Sequence, residues 1–369
     1  MTSVMHIVDT LEPGGLERVA VNIVNNLPRG RYDAHLCATR REGALADAVL
    51  PHVHRLKLRR RGRLDIAAFR RLVGYIRRNQ INILHAHGTS LFIAVAASLF
   101  KPFPSVVWHD HFGRFETEDR PPWLYRPMRM KVRGVIAVNR QLVEWSRRTL
   151  GFPRDQVVYI PNFVCEPSGK STAVNLPGQD GSRVVCVANL RAQKDHLTLL
   201  EAMERVLSEV SHAHLLLIGA AGEPAYVRKV QERMRRGTLE SHVTWLGARN
   251  DVEAVLYRCD IGVLSSQSEG LPLALLEYGM AGLPVVATSV GQCEEVLQGG
   301  RAGILVSPSS PSRLADAIIS LLKAPGMRTH YGKLLRQRVH EVYGMEENIQ
   351  RISNFYDAVH PPKVQLDQS

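Results

Sequence analysis

Two glutamates, Glu269 and Glu277, stand eight positions apart in the segment S-S-Q-S-E-G-L-P-L-A-L-L-E-Y-G-M-A-G. Pro272 suits the first position of a helix, which places Glu269 just before that helix and Glu277 inside it. Because the helix is apolar on nearly every side, the Glu277 carboxylate is expected to be buried and to need an ion-pair partner or a ligand. A carboxylate can accept two hydrogen bonds from a vicinal diol such as that of ribose, and Glu269 can bind hydroxyls of a different sugar. The alternative is two structural ion pairs.

Cationic side chains follow another apolar run, in V-C-V-A-N-L-R-A-Q-K-D-H. Asn189, Arg191 and Lys194 come directly after the predicted strand and before the predicted helix. Lysine and arginine at the carboxyl edge of a strand are well placed to neutralise a diphosphate. Without further support, a solvated loop of common charges explains the same residues.

Four histidines and an aspartate follow two further strand-like runs, in I-L-H-A-H-G (His85, His87) and V-V-W-H-D-H-F (His109, Asp110, His111). Imidazole and carboxylate at strand ends can bind hydroxyls or exchange protons. H-x-H pairs also occur in metal sites, but substrate contact is the favoured interpretation here. The sequence contains no D-x-D pair that would hold a divalent cation against a diphosphate.

The loop L-E-P-G-G-L-E-R places Gly14 and Gly15 where the first strand gives way to a helix. Paired glycines allow the backbone to approach a ligand closely, and the N-terminus of the helix presents free N–H groups to an anion. The pattern is not G-x-G-x-x-G, so an ordinary strand–helix turn is an equal alternative.

The elements that would carry these residues alternate between short apolar strands and amphipathic helices, which is typical of a parallel sheet covered on both faces. The predicted strands are Val4–Val8, Ala34–Ala38, Ile81–Ala86, Val106–Trp108, Val135–Val138, Val157–Ile160, Val184–Val187, Leu215–Ile218, Val243–Leu246, Ile261–Leu264, Val285–Ala287 and Ile304–Val306. A polar, turn-rich stretch over residues 165–182 interrupts the alternation and reads as a linker. In such sheets ligands bind beyond the carboxyl ends of the strands.

The composition is that of an ordinary globular protein. A chain of 369 residues favours two domains, and no apolar run is long enough to cross a bilayer. The N-terminus lacks the pattern of a signal peptide, and the five scattered cysteines predict no disulfide framework or zinc site, so a cytoplasmic location is expected. The net charge of +12 predicts an anionic partner, namely a nucleic acid, an acidic lipid or a phosphorylated substrate.

Two basic clusters lie in the N-terminal half. One runs from Arg55 to Arg63 and continues in Arg70, Arg71, Arg77 and Arg78. The other, P-P-W-L-Y-R-P-M-R-M-K-V-R, mixes arginines and Lys131 with Trp123, Leu124, Tyr125, Met128 and Met130. Aromatic residues, methionine and arginine together suit a lipid headgroup interface, although a solvated basic face fits as well.

In order along the chain, these motifs resemble the retaining GT-B glycosyltransferases of "group 1", glycosyltransferase family 4. The resemblance rests on the G-G loop, the H-D after the fifth strand, I-P-N-F-V, A-N-L-R-A-Q-K, L-G-A-R-N-D-V, the E-x7-E pair, G-L-P-V-V-A-T and V-G-Q-C-E-E-V. It implies an α/β fold of GT-B architecture, with two doubly wound Rossmann-like domains and an interdomain cleft. The expected bounds are residues 1–164 for an acceptor-side domain, 165–182 for the linker and 183–344 for a nucleotide-sugar-binding domain, with a helix at about 345–360 packing back on the first domain.

The resemblance also implies roles for individual residues. Lys194 would contact the donor diphosphate. Asn189 stands where the family usually has an arginine, and Arg191 would substitute for that arginine. Glu269 would bind the transferred sugar, and Glu277 would bind the ribose. The remaining expected contacts are backbone N–H groups of Gly270 and Leu271 on sugar and phosphate, the Gly247–Arg249 loop on the base, Gly15 on phosphate or acceptor, His109 near the reacting sugar, and His85, His87, Asp110 and His111 on the acceptor side.

The activity that the resemblance implies is a metal-independent, retaining hexosyl transfer with no cofactor. The donor would be a UDP- or GDP-sugar, and the acceptor a glycan or a polyprenyl- or lipid-linked sugar in cell-surface polysaccharide or glycolipid assembly. An anionic membrane surface is an expected partner, on the cytoplasmic face of the inner membrane, and nucleic acid is not. The alternatives are a nucleotide-sugar 2-epimerase of GT-B fold, or a non-catalytic basic protein that binds membrane or nucleic acid on the same scaffold.

Overall fold

The computed structural model describes residues 1–62, 64–112, 120–164 and 174–361. It divides into two compact units. Unit 1 comprises Met1–Asn162 and the C-terminal segment from Glu346, and unit 2 comprises Phe163–Met345. The predicted linker lies partly outside the described residues, since 165–173 are not among them, and Cys165 and Arg63 also lie outside.

Unit 1 contains an all-parallel seven-stranded sheet with strand order β3-β2-β1-β4-β5-β6-β7. Its strands are β1 (Thr2–Thr10), β2 (Tyr32–Arg41), β3 (His54–Lys57), β4 (Ile83–His87), β5 (Ser105–Asp110), β6 (Val132–Ala137) and β7 (Val157–Tyr159). Side chains alternate between the two faces of each strand. Met5, Ile7 and Trp108 therefore enter the apolar core on one face, while His6 and His85 lie side by side on the other.

The helices of unit 1 lie between its strands along the chain. They are α1 (Gly15–Asn26), α2 (Ile66–Arg78), α3 (Leu91–Ala97), α4 (Pro122–Tyr125) and α5 (Arg140–Glu144). Helix α1 buries Val19, Ile23 and Val24 on one face because they recur at helical spacing. Helix α2 is preceded by its N-cap Asp65, whose side chain accepts a hydrogen bond from the Ala68 N–H at 2.9 Å.

Unit 2 repeats the design with an all-parallel six-stranded sheet of order β10-β9-β8-β11-β12-β13. Its strands are β8 (Arg183–Val187), β9 (His214–Ile218), β10 (Val243–Trp245), β11 (Ile261–Leu264), β12 (Val285–Thr288) and β13 (Ile304–Val306). Its helices are α6 (His196–Glu209), α7 (Pro224–Met234), α8 (Leu239–His242), α9 (Val252–Leu256), α10 (Leu273–Ala281), α11 (Cys293–Val296), α12 (Pro311–Lys323) and α13 (Pro325–Tyr343).

All twelve predicted strands are confirmed within a few residues, and the structure adds one that the sequence analysis missed. The missed strand is β3, which was interpreted only as part of a basic cluster. It lies at the edge of the sheet, where charged side chains suit an exposed strand. Arg55 and Lys57 on this strand both pair with Glu42 at 2.5 Å, so part of the predicted basic surface is already neutralised.

From Glu346 onward the last helix, α14 (Met345–Val359), belongs to unit 1 although it comes after unit 2 in the chain. Tyr32 of β2 donates a hydrogen bond from its hydroxyl to the Ser353 carbonyl at 3.1 Å, and Arg31 pairs with Asp357. Tyr356 is buried beside His85. Within the described part of the chain, no helix combines the length and the apolar character needed to cross a membrane.

Candidate functional site

The order of the strands indicates where in each sheet a ligand would bind. In unit 2 the chain order reverses between the neighbouring strands β8 and β11, and in unit 1 it reverses between β1 and β4. We call each of these two positions the switch point of its sheet. In an open α/β sheet, the loops that leave the carboxyl ends of two such strands diverge and leave a crevice for a ligand. The residues after β8 and β11, and those after β1 and β4, are therefore the ones to examine.

At the unit 2 switch point, the loops after β8 and β11 are joined by an ion pair between Lys194 and Glu269. Lys194 Nζ lies 2.5 Å from Glu269 Oε1, and the two side chains are 23% and 6% exposed. The Ser266 hydroxyl donates to the same carboxylate oxygen at 2.6 Å. The sequence analysis predicted both residues without predicting that they touch. The pair holds a cation and an anion at one nearly buried point.

The loop that carries Glu269 is braced by Gly291, which the sequence analysis did not single out. Gly291 has a φ of +52°, and a Cβ built there would lie 2.0 Å from the Glu269 carbonyl oxygen. The next residue, Gln292, donates its backbone N–H to the Gly270 carbonyl at 2.9 Å. Only glycine fits both the left-handed conformation and the close approach. The sequence signal was the V-G-Q-C-E-E-V motif, whose glycine had been assigned no role.

Glu277 lies on α10 as predicted, but its side chain is half-buried rather than buried. The expectation of a buried carboxylate was wrong because the fully buried polar group of the helix is its neighbour Tyr278. The Tyr278 hydroxyl accepts a hydrogen bond from the Val187 N–H at 2.7 Å and lies 3.2 Å from the Val263 carbonyl. The helix also begins one residue later than predicted, because Pro272 is its N-cap. A half-buried carboxylate remains accessible to a ligand.

The other side chains predicted at the donor site are either paired within the protein or exposed to solvent. Asn189 follows β8 and accepts a hydrogen bond from the Ala220 N–H through its side-chain oxygen at 2.8 Å. Arg191 is exposed. Arg249 makes a two-pronged ion pair with Asp251 at 2.8 and 2.5 Å, which raises the pKa of the guanidinium and lowers that of the carboxyl. Gly270 and Leu271 lie between Glu269 and α10.

In unit 1, Gly15 is the first residue of α1, and Gly14 is its N-cap. Gly14 has an extended backbone with a φ of −159°, so the left-handed freedom of glycine is not used there. A Cβ on Gly14 would instead lie 2.3 Å from the flexible Glu17 carboxylate. The helix N-terminus follows β1 at the switch point, which is the predicted place for an anion.

The predicted histidines of unit 1 come together, and they include one that the sequence analysis missed. The five rings, which we call the histidine layer, are those of His6, His85, His87, His109 and His111. His6, His85, His87 and His109 share one face of β1, β4 and β5, since the strand register pairs residue 6 with 85 and residue 87 with 109, and His111 follows the end of β5. His6 was missed because a lone histidine in an apolar strand carries no motif. Strand β1, which carries His6, pairs with β4, and this pairing places His6 beside the H-x-H pair.

The rings of the histidine layer hydrogen-bond to one another and to Tyr356 of α14. His6 Nδ1 lies 2.9 Å from His87 Nε2, and His87 Nδ1 lies 3.1 Å from His111 Nε2. His85 Nε2 lies 3.0 Å from His109 Nδ1, while the Tyr356 hydroxyl lies 2.5 Å from His85 Nδ1 and 3.1 Å from His6 Nε2.

Burial keeps the histidine layer neutral. It lowers the pKa of His6 and of His111 to about 3. It also lowers the pKa of His85, His87 and His109 well below the usual value, and the neighbouring imidazoles lower it further. Transfer of a charged ring out of water is unfavourable, so the neutral form is retained at physiological pH.

Two triads within the layer could hold a transition-metal ion by spacing alone. The ring nitrogens of His6, His85 and His87 lie within 4.8 Å of one another, as do those of His87, His109 and His111. Imidazole suits zinc, copper or nickel. However, His87 belongs to both triads, and both of its nitrogens are engaged in short N···N hydrogen bonds. The donor set therefore fits hydrogen bonding between rings better than a metal centre.

Asp110 is held by Arg120, which the sequence analysis did not consider. Arg120 Nη1 lies 2.6 Å from the Asp110 carboxylate, and the two side chains are 6% and 1% exposed. The guanidinium packs over four aromatic rings, those of Trp108, Phe112, Tyr125 and Trp145, at 4.1–5.0 Å from their centroids. Burial raises the pKa of the Asp110 carboxyl, and Arg120 opposes that rise. The carboxylate is thus committed to an arginine rather than open to an acceptor.

A cavity of about 720 Å³ opens beyond the carboxyl ends of the unit 1 strands. Its polar wall includes Asp9, Arg40 and Arg60, and its apolar wall includes Phe69 and Phe92. Asp9 accepts hydrogen bonds from the hydroxyls of Thr39 and Thr89 at 2.8 and 2.9 Å. The cavity can accept a molecule that has both an anionic and an apolar part.

Two family models match the chain, one in each half. Residues 13–165 match "Glycosyltransferase Family 4", and residues 181–324 match "Glycosyl transferases group 1". Among curated proteins, N-acetyl-alpha-D-glucosaminyl L-malate synthase of Bacillus anthracis is 26% identical over 306 residues, which cover 79% of this chain and 78% of that protein. Phosphatidyl-myo-inositol mannosyltransferase of Mycobacterium leprae is 30% identical over 212 residues, 56% of this chain and 54% of that protein.

Solved structures share the fold. A glycosyltransferase from Rickettsia africae superposes with a TM-score of 0.78 at 16% identity, covering 97% of this chain and 98% of that one. An Anabaena protein crystallised with UDP-glucose superposes with a TM-score of 0.79 at 19% identity, covering 97% and 100%. The predicted GT-B class of α/β fold is confirmed. With both halves matched by models of one family, the chain belongs to the group 1 glycosyl transferases, glycosyltransferase family 4.

Proposed function

We propose that the protein transfers a sugar, with retention of anomeric configuration, from a nucleoside-diphosphate sugar to a glycan or lipid-linked acceptor. The observation that carries the proposal is the Lys194–Glu269 pair at the β8/β11 switch point. Cleavage of the donor builds negative charge on the leaving diphosphate, which an ammonium group stabilises, while a carboxylate beside it accepts hydrogen bonds from sugar hydroxyls. The cationic side chain takes the place of a divalent metal, so the transfer is proposed to be metal-independent.

The donor nucleotide is proposed to be UDP or GDP. The Anabaena structure that shares the fold contains UDP-glucose, and a Mycobacterium tuberculosis relative is named as GDP-mannose-dependent. In this chain the half-buried Glu277 carboxylate would accept hydrogen bonds from the ribose hydroxyls, and the Gly247–Arg249 loop would contact the base. Arg191, exposed in the loop after β8, would supply a second positive charge for the diphosphate.

Nucleotide binding tests the donor site. UDP, GDP, ADP and CMP are compared by thermal shift, and a nucleotide at 100 times its dissociation constant is expected to stabilise the fold by about 2.7 kcal/mol. Glu277→Ala is expected to weaken binding by roughly 1.5–3 kcal/mol, the range for hydrogen bonds to a charged group. Glu204→Ala, which removes a carboxylate paired with Arg233 elsewhere in unit 2, is the control. Equal nucleotide affinity in the two variants would remove the ribose assignment. The anomeric configuration of the product, read by NMR, then tests retention.

The acceptor is proposed to bind unit 1, in the cavity beside Arg40 and Arg60. The segment from Pro122 to Arg133 is proposed to hold the protein on the anionic cytoplasmic face of a membrane, where a lipid-linked acceptor would be presented. The apolar side chains of this segment differ in exposure: Tyr125 and Met128 pack against the core, whereas Trp123 and Met130 are 72% and 88% exposed. Not all of the predicted apolar residues are therefore available to a headgroup region.

Sedimentation with vesicles tests the membrane contact. Replacing Arg129, Lys131 and Arg133 by glutamine is expected to reduce binding to phosphatidylserine vesicles by about 100-fold at low salt, since each basic residue near an anionic surface contributes about 1 kcal/mol. The control variant replaces the exposed Arg228, Lys229 and Arg235 of unit 2, which lowers the net charge of +12 by the same three units. Equal loss in both variants would show a non-specific charge effect, and no loss in either would reject the contact.

A further inference from the structure

The apolar wall of the unit 1 cavity is built by three helices. Phe69 lies on α2, Phe92, Ile93 and Ala96 lie on α3, and Leu124 lies on α4. The three positions on α3 follow helical spacing, so one face of that helix is turned to the cavity. A sugar ring on this wall would leave hydroxyl groups without hydrogen-bond partners, which is unfavourable away from water. The wall therefore fits an apolar chain better than a glycan.

The opening of the cavity is apolar as well. Leu64 and Ile66 line the cavity although they are 92% and 65% exposed, so they lie at its rim. The half-exposed ring of Phe100 contacts the ring of Phe69 with centroids 5.7 Å apart, and this contact extends the apolar surface. Apolar residues that continue from a cavity onto the protein surface are typical of a site that takes an apolar ligand. The apolar chain of the ligand is therefore expected to extend across this rim.

The polar end of the cavity carries a guanidinium group without an acceptor. Arg60 lines the cavity, and its side chain is only 15% exposed. Its ion-pair partner, Asp9 Oδ1, lies 3.7 Å from Arg60 Nη2, which is too far for a hydrogen bond. Across the described ranges of the polypeptide, no oxygen accepts a hydrogen bond from this guanidinium. A group with five N–H donors at a cavity wall suits an anion with several oxygens, such as a phosphate.

The two carboxylates that line the cavity are already hydrogen-bonded. Asp9 accepts hydrogen bonds from the hydroxyls of Thr39 and Thr89 at 2.8 and 2.9 Å. Asp65 caps α2 and accepts hydrogen bonds from two backbone N–H groups at 2.9 and 3.0 Å. A second guanidinium, that of the exposed Arg40, also lines the cavity. The polar end therefore offers cations to an anionic head group, while the carboxylates keep lone pairs for head-group hydroxyls.

We propose that this cavity holds the anchor of the acceptor, namely a phosphate group on Arg60 and Arg40 joined to an apolar chain on the wall of three helices. The volume of about 720 Å³ lies in the range of roughly 300–1,000 Å³ that drug-sized ligands occupy, which is far more than a phosphate ion needs. The acceptor class is thereby narrowed to a phosphate-bearing amphiphile. Its use as an acceptor rests on the proposed function, whereas binding of the amphiphile is a property of the free protein.

Calorimetry with alkyl phosphates tests the site on the full-length protein. Hexyl and octyl phosphate are compared with inorganic phosphate and octyl glucoside, with the amphiphiles kept below their critical micelle concentrations. Each buried methylene raises the affinity about fourfold, so octyl phosphate is expected to bind about 15-fold more tightly than hexyl phosphate. Equal affinities of the two alkyl phosphates would overturn the proposal. Inorganic phosphate or octyl glucoside binding as tightly as octyl phosphate would also overturn it, because a free-phosphate site or a purely apolar pocket explains that result.

Substitution of Arg60 tests the anionic end. Arg60→Gln is expected to weaken the binding of octyl phosphate about 10–100-fold, the effect of losing hydrogen bonds to a charged group, and to leave octyl glucoside binding unchanged. The matched control is Arg61→Gln, which removes the same charge from the next residue, an exposed one outside the cavity lining. Its affinity for octyl phosphate is expected to stay close to that of the wild type. An equal loss in both variants would indicate general attraction of anions to a basic surface and would overturn the site.

Filling the cavity tests the position of the apolar chain. Ala96→Phe places a ring against the apolar wall and is expected to remove the preference for octyl over hexyl phosphate. Ile66→Gln, at the exposed rim, is expected to reduce that preference and replaces the first variant if Ala96→Phe lowers the thermal stability. A stably folded variant that keeps the full preference would overturn the placement of the chain. The thermal shifts with UDP and GDP do not involve this cavity, so failure of this inference and failure of the proposed function are distinguishable.

Discussion

Replacing Lys194 by methionine is expected to lower turnover by about 10²–10³-fold, measured as nucleotide release from a UDP- or GDP-sugar in the presence of EDTA. Methionine keeps much of the length of the side chain and removes its charge. The loss is expected in kcat, because the ammonium group acts most strongly on the negative charge that develops as the sugar leaves the diphosphate. Donor binding would weaken less.

The same substitution removes the cation that pairs with the nearly buried Glu269 carboxylate and leaves the Ser266 hydroxyl bonded to it, so a structural effect must be separated from a chemical one. The double variant Lys194→Met, Glu269→Gln removes both charges and relieves the unpaired carboxylate. If the pair were only structural, the double variant would regain turnover; on the catalytic assignment it stays inactive. Lys323→Met is the matched control, because Lys323 lies 2.5 Å from Glu209 in an exposed pair, and such pairs contribute little to stability.

Acid is expected to unfold unit 1 at a higher pH than is usual for a globular domain. Each histidine of the layer is neutral in the folded state, while in the unfolded chain it titrates at about 6.5. Above pH 6.5 both states are neutral, so folding is not penalised. As the pH falls from 6.5 toward 3, the imidazoles of the unfolded chain bind protons whereas those of the folded layer stay neutral. The free energy of unfolding therefore decreases across that range.

The magnitude at pH 5 is about 2 kcal/mol for each fully buried ring. Titration of the unfolded imidazoles sets this limit, so the five rings together lose at most about 10 kcal/mol, which is comparable with the total stability of a typical domain. Urea unfolding between pH 4.5 and 8 measures the slope. His87→Gln is expected to reduce it by one proton, and His330→Gln, at an exposed position, to leave it unchanged. A flat stability between pH 7 and 5 would contradict the neutral layer.

Most of the fold follows from the sequence because both sheets are buried on two faces. Their strands are continuous apolar runs such as Ile261–Leu264, which leave little choice of structure. The edge strand His54–Lys57 was not predicted because it differs from the buried strands in three ways. It is charged, it is largely exposed, and it pairs with another strand on one side only. Strand composition thus predicts the centre of a sheet better than its edge.

The candidate site was predicted residue by residue but not as contacts. Lys194 and Glu269 were each assigned to a ligand, and nothing in the sequence places the two charges within 2.5 Å. Glu277 was expected to be buried because the helix is apolar, yet the fully buried position belongs to Tyr278 one step around the helix. His6 and Tyr356 lie 350 positions apart and meet only because α14 packs on unit 1. Such long-range pairs have no local signal.

Unit 1 is built from two segments that are far apart in the sequence, and this affects the order in which it folds during synthesis. Domains generally fold in the order in which they leave the ribosome, at about 5–20 residues per second. Unit 1 is complete to Asn162 early, but Tyr356, whose hydroxyl hydrogen-bonds to His85 and His6 of the histidine layer, is made only after the whole of unit 2. The nascent N-terminal sheet therefore waits roughly 10–40 s for its last helix at that rate. During this interval His85 and His6 lack the Tyr356 hydroxyl, so the docking of α14 is the step that completes the hydrogen bonding of the histidine layer.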